Sequence, residues 1–299
     1  MIEAKILKFK FLLLAIVALF SMNSIAADVL IGHAYYFGFY SGDKVKNFAR
    51  PLFKKSEKGW GVFPNGKTIG NTPDALQRSR ALFPAEIAWN IFDYDNSWIG
   101  EERVQNTEAP KWWITVGASP MQFDLEKIDK DHGVSVYNPG AGGDYDPSVD
   151  LILSTNKNVS FSKIKSKTVN NTKDFNRIFS EIKNIRHVAN YAKKAGKKEA
   201  VIYSVDGVDT FVILNFTRPD GEMNDITSTV LVKDNDKWKF IFDSEKSGLG
   251  APLSLKTAAD FTGDGKSEYI FISSEFNHWG YALWQPGMSK PLVYVFLAH

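Results

Sequence analysis

Short apolar segments separated by turn-forming residues fill the C-terminal part of the 299-residue chain, and this alternation restricts its fold more than any other feature. Two of the turns are Asp206-Gly207 and Asp234-Asn235-Asp236. Asp, Asn and Gly adopt the positive φ values that tight turns need, so each turn predicts a β-hairpin. Connections this short predict antiparallel neighbours. The predicted strands are residues 200–205, 211–216, 226–232, 238–242, 269–273, 281–284 and 292–297.

The preceding part of the chain is also predicted to be β-rich, although its segments are less regular. An aromatic content of 14% favours this class, because aromatic side chains pack well on half-buried pleated surfaces. The polar stretch at residues 68–85 is predicted to be mainly loop, and the one at 155–171 is predicted to be a loop or a boundary between the two halves of the chain. The predicted strands are residues 28–40, 60–63, 87–92, 112–116, 134–137 and 150–154.

One segment near residues 173–195 has the apolar periodicity of an amphipathic helix. Asn171 or Thr172 is expected to cap its N-terminus, and Gly196 is expected to supply the C′ turn at its end. The residues with helical spacing are Phe175, Ile178, Phe179, Ile182, Ile185, Val188 and Ala189.

These patterns predict a β-rich α+β protein with antiparallel sheets and one helix near residues 173–195. The sheets are expected to be arranged as a propeller or as a sandwich, and the sequence leaves this choice open. We expect a signal peptide at residues 1–26, a β-rich N-terminal half at 27–170, and a C-terminal half at 171–299 that contains the helix and antiparallel strands.

The N-terminus has the three parts of an export signal. Lys5, Lys8 and Lys10 form a basic region, an apolar run follows at residues 11–20, and residues 24–26 (SIA) provide a cleavage site. The alternative is a membrane anchor, but the run is shorter than the roughly 20 residues that span a bilayer. We therefore expect cleavage after residue 26 or 27, a periplasmic or secreted bacterial protein, and no stable membrane span in the mature chain.

Charge and cysteine content narrow the functional classes. The net charge of +2 comes from the excess of lysine in the predicted signal, so the rest of the chain is balanced, which argues against nucleic acid as a partner. The chain has no cysteine, which excludes disulfides, thiol nucleophiles and a lipid anchor on a cysteine.

Residues 260–268 (DFTGDGKSE) have the spacing of a calcium-binding loop. Gly263 and Gly265 allow the sharp backbone turns that such a loop requires. The alternative is a Gly-rich hairpin turn in which Asp makes only local hydrogen bonds. The predicted ligands are side chains at positions 1, 3, 5 and 9 and the backbone carbonyl at position 7: Asp260, Thr262, Asp264, Glu268 and Lys266.

Two other acidic segments have part of this spacing. Residues 93–101 lack the glycine at position 6, and residues 144–150 contain Pro147, so ordinary turns are expected in both. The residues concerned are Asp93, Asp95, Ser97 and Glu101 in the first segment, and Asp144, Asp146, Ser148 and Asp150 in the second.

Residues 259–271 resemble the FG-GAP/VCBS calcium loop of integrin-type β-propellers and of many exported bacterial proteins. The family pattern is Asp-x-Asn/Asp-x-Asp-Gly-x-x-Asp between two strands, so the resemblance implies the same five ligands and a structural Ca²⁺. Thr262 and Glu268 depart from the pattern. Residues 49–53, 59–63 and 89–93 also resemble segments of uncharacterised exported bacterial proteins.

The sequence contains no recognisable catalytic motif. None of the five histidines has metal-ligand spacing to another, and Gly-x-Ser-x-Gly, Ser-x-x-Lys and phosphate-loop patterns are missing. We therefore expect a non-enzymatic exported module with a structural calcium site and an unknown protein or glycan partner. The alternative is a carbohydrate-binding or carbohydrate-active protein that uses surface aromatics such as Trp112, Trp279 and Trp284. Separately, His278 beside Trp279 is a candidate for a surface site, although a histidine next to a tryptophan is more often simply packed or hydrogen-bonded.

Overall fold

The structure is a computed structural model that describes residues 29–37, 46–63, 88–92, 96–103, 105–106, 121–123, 151–169, 172–219, 226–275 and 278–297. Within these ranges the chain forms three antiparallel β-sheets and three helices. The β-rich class with antiparallel sheets is therefore confirmed. None of these helices is long and apolar enough to cross a membrane.

Eight strands form the first sheet, which we call the N-terminal sheet, in the order β5-β4-β8-β1-β2-β7-β6 with β3 also beside β2. Pro51 lies in β2 at a bulge opposite Gly32 of β1, and a proline at a bulge removes no needed ladder donor. The strands are β1 (Val29–Phe37), β2 (Lys46–Ser56), β3 (Gly59–Val62), β4 (Ala88–Phe92), β5 (Trp98–Arg103), β6 (Gln105–Asn106), β7 (Met121–Phe123) and β8 (Leu151–Ser154).

Most strand predictions in this sheet are confirmed, but β2 is missing from them. Its charged residues and its proline hide the alternating apolar pattern of a strand. The predicted strands at 112–116 and 134–137 lie outside the described residues. The prediction of a loop at 155–171 is wrong, because β9 (Ser160–Phe161) and β10 (Ile164–Val169) lie there, each paired with a strand from later in the chain.

The second sheet, which we call the helix-covered sheet, is a meander in the order β10-β11-β12-β13-β14. Both predicted hairpins are confirmed. Their turns have positive φ at Asp206 (50°) and Gly207 (83°), and at Asn235 (50°) and Asp236 (61°). The added strands are β11 (Lys197–Val205), β12 (Val208–Thr217), β13 (Ile226–Asp234) and β14 (Lys237–Asp243).

The third sheet, which we call the central sheet, has the order β18-β17-β16-β15-β9. The strands predicted at 269–273, 281–284 and 292–297 are confirmed. The acidic loop connects β15 to β16. The added strands are β15 (Leu253–Asp260), β16 (Glu268–Glu275), β17 (His278–Trp284) and β18 (Leu292–Leu297).

The predicted single helix is instead two helices, α1 (Thr172–Ile182) and α2 (Arg186–Lys194). Ile185 has extended backbone (φ −76°, ψ 103°), which ends the helical geometry between them. The prediction of a left-handed C′ turn at Gly196 is also wrong: the helix ends in extended backbone at Ala195. A Cβ on Gly196 would lie 2.8 Å from the Cα atom of Pro219, so close packing is what requires this glycine. A third, short helix is α3 (Ser244–Ser247).

The described elements are stacked as four layers: the helices, the helix-covered sheet, the central sheet and the N-terminal sheet. On β12, Phe211 packs toward the central sheet and Val212 toward the helices. On β16, Phe271 packs toward the helix-covered sheet and Ile270 toward the N-terminal sheet. Because both inner sheets are covered on two faces, their strands carry consecutive apolar residues and lack the usual polar alternation.

Candidate functional site

The acidic loop joins β15 to β16, where Ala259 pairs with Glu268. Gly263 and Gly265 have φ values of 74° and 80°, in the left-handed region that side-chain-bearing residues avoid. A Cβ at either position would meet no atom within 4 Å, so the backbone conformation and not lack of space requires glycine here. The prediction that Gly263 and Gly265 allow sharp backbone turns in this loop is therefore confirmed.

The Asp260 side chain organises the loop by accepting hydrogen bonds from its backbone. Its Oδ1 accepts the N–H groups of Gly263 at 2.7 Å and Asp264 at 3.2 Å. Its Oδ2 accepts the N–H of Gly265 at 2.8 Å, and the Thr262 hydroxyl lies 3.4 Å from Oδ1. One carboxylate thus closes the turn and lies beside the second and third predicted ligand positions.

The far end of the loop is exposed. Asp264 Oδ1 accepts the backbone N–H of Lys266 at 2.9 Å, and both residues are open to solvent. A carboxylate can accept about four hydrogen bonds. The Asp264 carboxylate therefore has oxygen lone pairs left to bind a ligand on the solvent side of the loop.

Glu268 differs from the other predicted ligands because its side chain is completely buried. Its Oε1 accepts hydrogen bonds from Gln285 Nε2 at 3.1 Å and from Trp60 Nε1 at 3.3 Å, and its Oε2 accepts the N–H of Phe261 at 2.9 Å. Burial raises the pKa of Glu268 to about 7, and the nearby carboxylates of Asp264 and Asp260 add to the increase, against hydrogen bonds that lower it. The side chain links the loop to β3 of the N-terminal sheet.

The donor chemistry of the loop fits Ca²⁺, since its groups are hard oxygens and include two exposed-loop carboxylates. The loop brings the Thr262 hydroxyl and the backbone N–H of Asp264 to the Asp260 carboxylate. Glu268 accepts three N–H groups, two on Oε1 and one on Oε2, so Oε2 keeps acceptor capacity that a cation could use. Among the residues that the structure describes, no group of three or more His, Asp or Glu side chains is arranged to hold a metal ion.

The remaining predicted candidates have separate outcomes. Trp284 is buried in the core, where its Nε1 donates to the Met288 carbonyl at 3.2 Å, so its interpretation as a surface aromatic is wrong. Its ring packs edge-on against Phe211, which explains the burial. Trp112 and residues 93–95 and 144–150 lie outside the described part of the chain, as do the side chains of His278 and Trp279.

A second site, which sequence reasoning missed, lies between α2, α3 and the ends of two strands in the helix-covered sheet. It is a cavity of about 300 Å³. Its polar and apolar side chains come from segments far apart in the sequence, so no local motif marks it. The lining residues are His187, Asn190, Tyr191, Lys194, Ala195, Phe216, Arg218, Thr227, Glu245 and Lys246.

Asp243 lies behind this cavity and contacts residues of both helices that form it. It is the N-cap of α3, where its Oδ1 accepts the N–H of Lys246 at 2.8 Å. The same oxygen is 3.5 Å from the Tyr191 hydroxyl. Its Oδ2 lies 3.1 Å from His187 Nε2, although this pair does not have the geometry of a hydrogen bond. Asp243 is only 1% exposed, so the cap and the two ring residues form one closely packed unit.

The hydroxyl of Tyr191 is held in its neutral form. Burial raises the pKa of Tyr191 far above its ordinary value, and a hydrogen bond to Glu245 and the negative charge of Asp243 raise it further. Tyr191 therefore presents an uncharged hydroxyl to the cavity across the physiological pH range.

The chain matches no protein-family model, and comparisons with curated proteins and with solved structures give no match either.

Proposed function

We propose that the protein is an exported, non-enzymatic module whose loop at residues 260–268 binds a structural Ca²⁺. The observation that supports this most is the turn organised by Asp260, whose carboxylate accepts three backbone N–H groups, that of Asp264 among them, and has the Thr262 hydroxyl beside it. The loop is thereby ordered before any ion binds, so a cation would not bear the whole entropic cost of ordering it.

In this proposal Asp260, Thr262, Asp264 and the carbonyl of Lys266 contact the ion, and Glu268 joins them through Oε2, which accepts only one N–H group. A divalent cation near Glu268 favours the ionised carboxylate and so lowers its pKa. Binding to the folded state alone stabilises the protein by about 2.7 kcal/mol at a calcium concentration 100-fold above the Kd.

In this proposal the signal predicted at residues 1–26 directs the protein out of the cytoplasm. Calcium is abundant enough there to fill a weak site. We also propose that the sheets are arranged as a propeller or as a sandwich. The meander β15–β18, whose first hairpin carries the loop, is what a propeller blade would contain, and the face-to-face packing of this sheet on the helix-covered sheet is equally that of a sandwich. A protein or glycan partner would then bind a surface that the ion stabilises indirectly.

The test compares thermal unfolding in Ca²⁺ with unfolding in a chelator. We expect Ca²⁺ to raise the Tm by several degrees at saturating concentration, and Mg²⁺ to raise it less, because Mg²⁺ releases its water ligands reluctantly. Asp264→Asn should remove most of the calcium-induced increase in Tm, because it removes a charged ligand. Since Asp264 is exposed, the substitution should leave the fold itself intact.

Asp236→Asn is the matched control, because Asp236 is an exposed Asp in a tight turn with positive φ. It should leave the calcium response unchanged. If Ca²⁺ fails to shift the Tm of the unmodified protein, the calcium proposal is wrong and the loop is a plain hairpin turn.

A further inference from the structure

The cavity between α2 and α3 lies apart from the acidic loop. Helix α2 packs on the helix-covered sheet and α3 directly follows its last strand, β14, whereas the loop joins two strands of the central sheet. Its volume of about 300 Å³ is at the small end of ligand pockets, which suits a molecule of roughly monosaccharide size. We propose that this cavity binds a small organic anion: a carboxylate or phosphate group on a ring-sized, uncharged body.

The charges at the cavity favour an anion. Lys194, Arg218 and Lys246 line it, and Glu245 is the one carboxylate among its lining residues. Within the described part of the chain, neither Lys194 nor Lys246 forms an ion pair with another side chain. Their ammonium groups are therefore available to an incoming oxyanion. The Glu245 carboxylate accepts a hydrogen bond from Tyr191, which offsets part of its negative charge.

The back of the cavity is held rigid by buried groups. Asp243 is fixed as the cap of α3 and lies within 3.1 Å of His187. The His187 ring is also held edge-on between Tyr191 and Phe240, with centroids 6.0 Å and 5.1 Å away. His187 lines the cavity while its Nε2 lies beside the buried carboxylate, so its imidazole is a polar group within reach of a ligand.

The half-buried ring of Tyr191 offers an aromatic surface to the body of the ligand, and Phe216, which is only 3% exposed, packs beside it. Tyr191 and Phe216 both line the cavity, with ring centroids 6.2 Å apart and planes tilted by 44°. A saturated or aromatic ring can lie against this surface while its charged group reaches the lysines. Because Tyr191 stays neutral, its hydroxyl does not repel an anion.

Titration calorimetry on the purified protein tests this with four probes: glucuronate, glucose 6-phosphate, glucose and inorganic phosphate. At least one of the two sugar anions should bind about tenfold more tightly than glucose and than inorganic phosphate, and its affinity should fall as salt is raised. The tighter of the two identifies the charged group as a carboxylate or a phosphate. Equal binding of glucose, equal binding of inorganic phosphate, or no binding of either sugar anion would overturn the proposal.

Variants of exposed lysines give the second test. Lys194→Gln combined with Lys246→Gln should weaken sugar-anion binding about fivefold, because each removes one exposed charge contact. Lys193→Gln is the matched control, since Lys193 is the exposed neighbour of Lys194 in the same helix but does not line the cavity. An unchanged affinity in the double variant, or an equal loss in the control, contradicts the assignment.

Discussion

Glu268 and Asp243 are both buried carboxylates at the start of a structural element, but their surroundings differ. Asp243 faces a histidine that can carry a positive charge and the N-terminus of α3. Glu268 has N–H donors from its own loop (Phe261), from β3 (Trp60) and from just after β17 (Gln285). Burial raises its pKa, and two acidic neighbours add to the increase. For Glu268 the two acidic neighbours add to the effect of burial, so this carboxyl is expected to respond to pH and to cations. Asp243, in contrast, is placed to cap a helix.

The largest expected effect comes from deleting the Glu268 side chain. Glu268→Ala leaves the N–H donors of Trp60, Gln285 and Phe261 without their acceptor, and each buried unpaired donor costs about 1–3 kcal/mol. The free energy of unfolding measured in urea should fall by at least about 3 kcal/mol. Glu101→Ala, at an exposed strand position, should change it by less than about 0.5 kcal/mol. Similar losses in both variants would show that the buried network does not stabilise the fold.

The second effect is a pH dependence specific to Glu268. Its pKa is raised from 4.5 to about 7 on folding, so the folded state binds the proton more tightly than the unfolded state does. The contribution of Glu268 to the free energy of unfolding is therefore fully present below pH 4.5 and is lost as the pH rises through 7. In calcium-free buffer the free energy of unfolding should therefore fall by up to about 3 kcal/mol between pH 4.5 and pH 8 through this group. Glu268→Gln removes the titration, and the difference between the two pH profiles isolates it. Parallel profiles would contradict the raised pKa.

Asp243→Ala should have the next largest effect. It removes the cap of α3 and the acceptor beside His187 and Tyr191, and loss of a cap alone costs about 0.5–2 kcal/mol. Urea unfolding should show a loss of about 2 kcal/mol. Asp243→Asn keeps a capping oxygen and should recover more than half of this loss, whereas an equal loss in both variants would point to the charge and not to the cap.

The smallest effect tests the link from Glu268 to the N-terminal sheet. Trp60→Phe keeps a large ring but removes the Nε1 donor, so the free energy of unfolding should fall by about 1 kcal/mol. Trp98→Phe is the control, since Trp98 Nε1 also donates, to Asn90 Oδ1, but its side chain is 46% exposed. The control should lose less than about 0.5 kcal/mol. An equal loss in both would mean that the bond to Glu268 adds nothing beyond an ordinary surface contact.

Features of the fold that depend on a few neighbouring residues could be predicted from the sequence. The turns at Asp206-Gly207 and Asn235-Asp236 are examples, because the residue types that adopt positive φ are few. The sharp folding of the acidic loop at Gly263 and Gly265 is another.

Features that depend on distant partners could not be predicted. The stretch at 155–171 was expected to be a loop because it is polar, yet β10 is a strand because it pairs along its whole length with β11. The expected C′ turn at Gly196 is replaced by close packing on Pro219. Trp284 was expected at the surface, and the packing of the central sheet buries it. In each case a long-range contact outweighs a local preference.

The order of residues along the chain is enough to predict antiparallel strands, the positions of the hairpin turns, and a Gly-rich loop with hard oxygen donors at residues 260–268. Long-range packing is what buries Glu268 against Trp60, 208 residues away, and what brings His187 and Tyr191 to one cavity with Asp243 behind them. The physical reason is that turn conformation depends on the φ and ψ preferences of adjacent residues. Burial, charge pairing and pKa depend on which surfaces the stacked layers bring together.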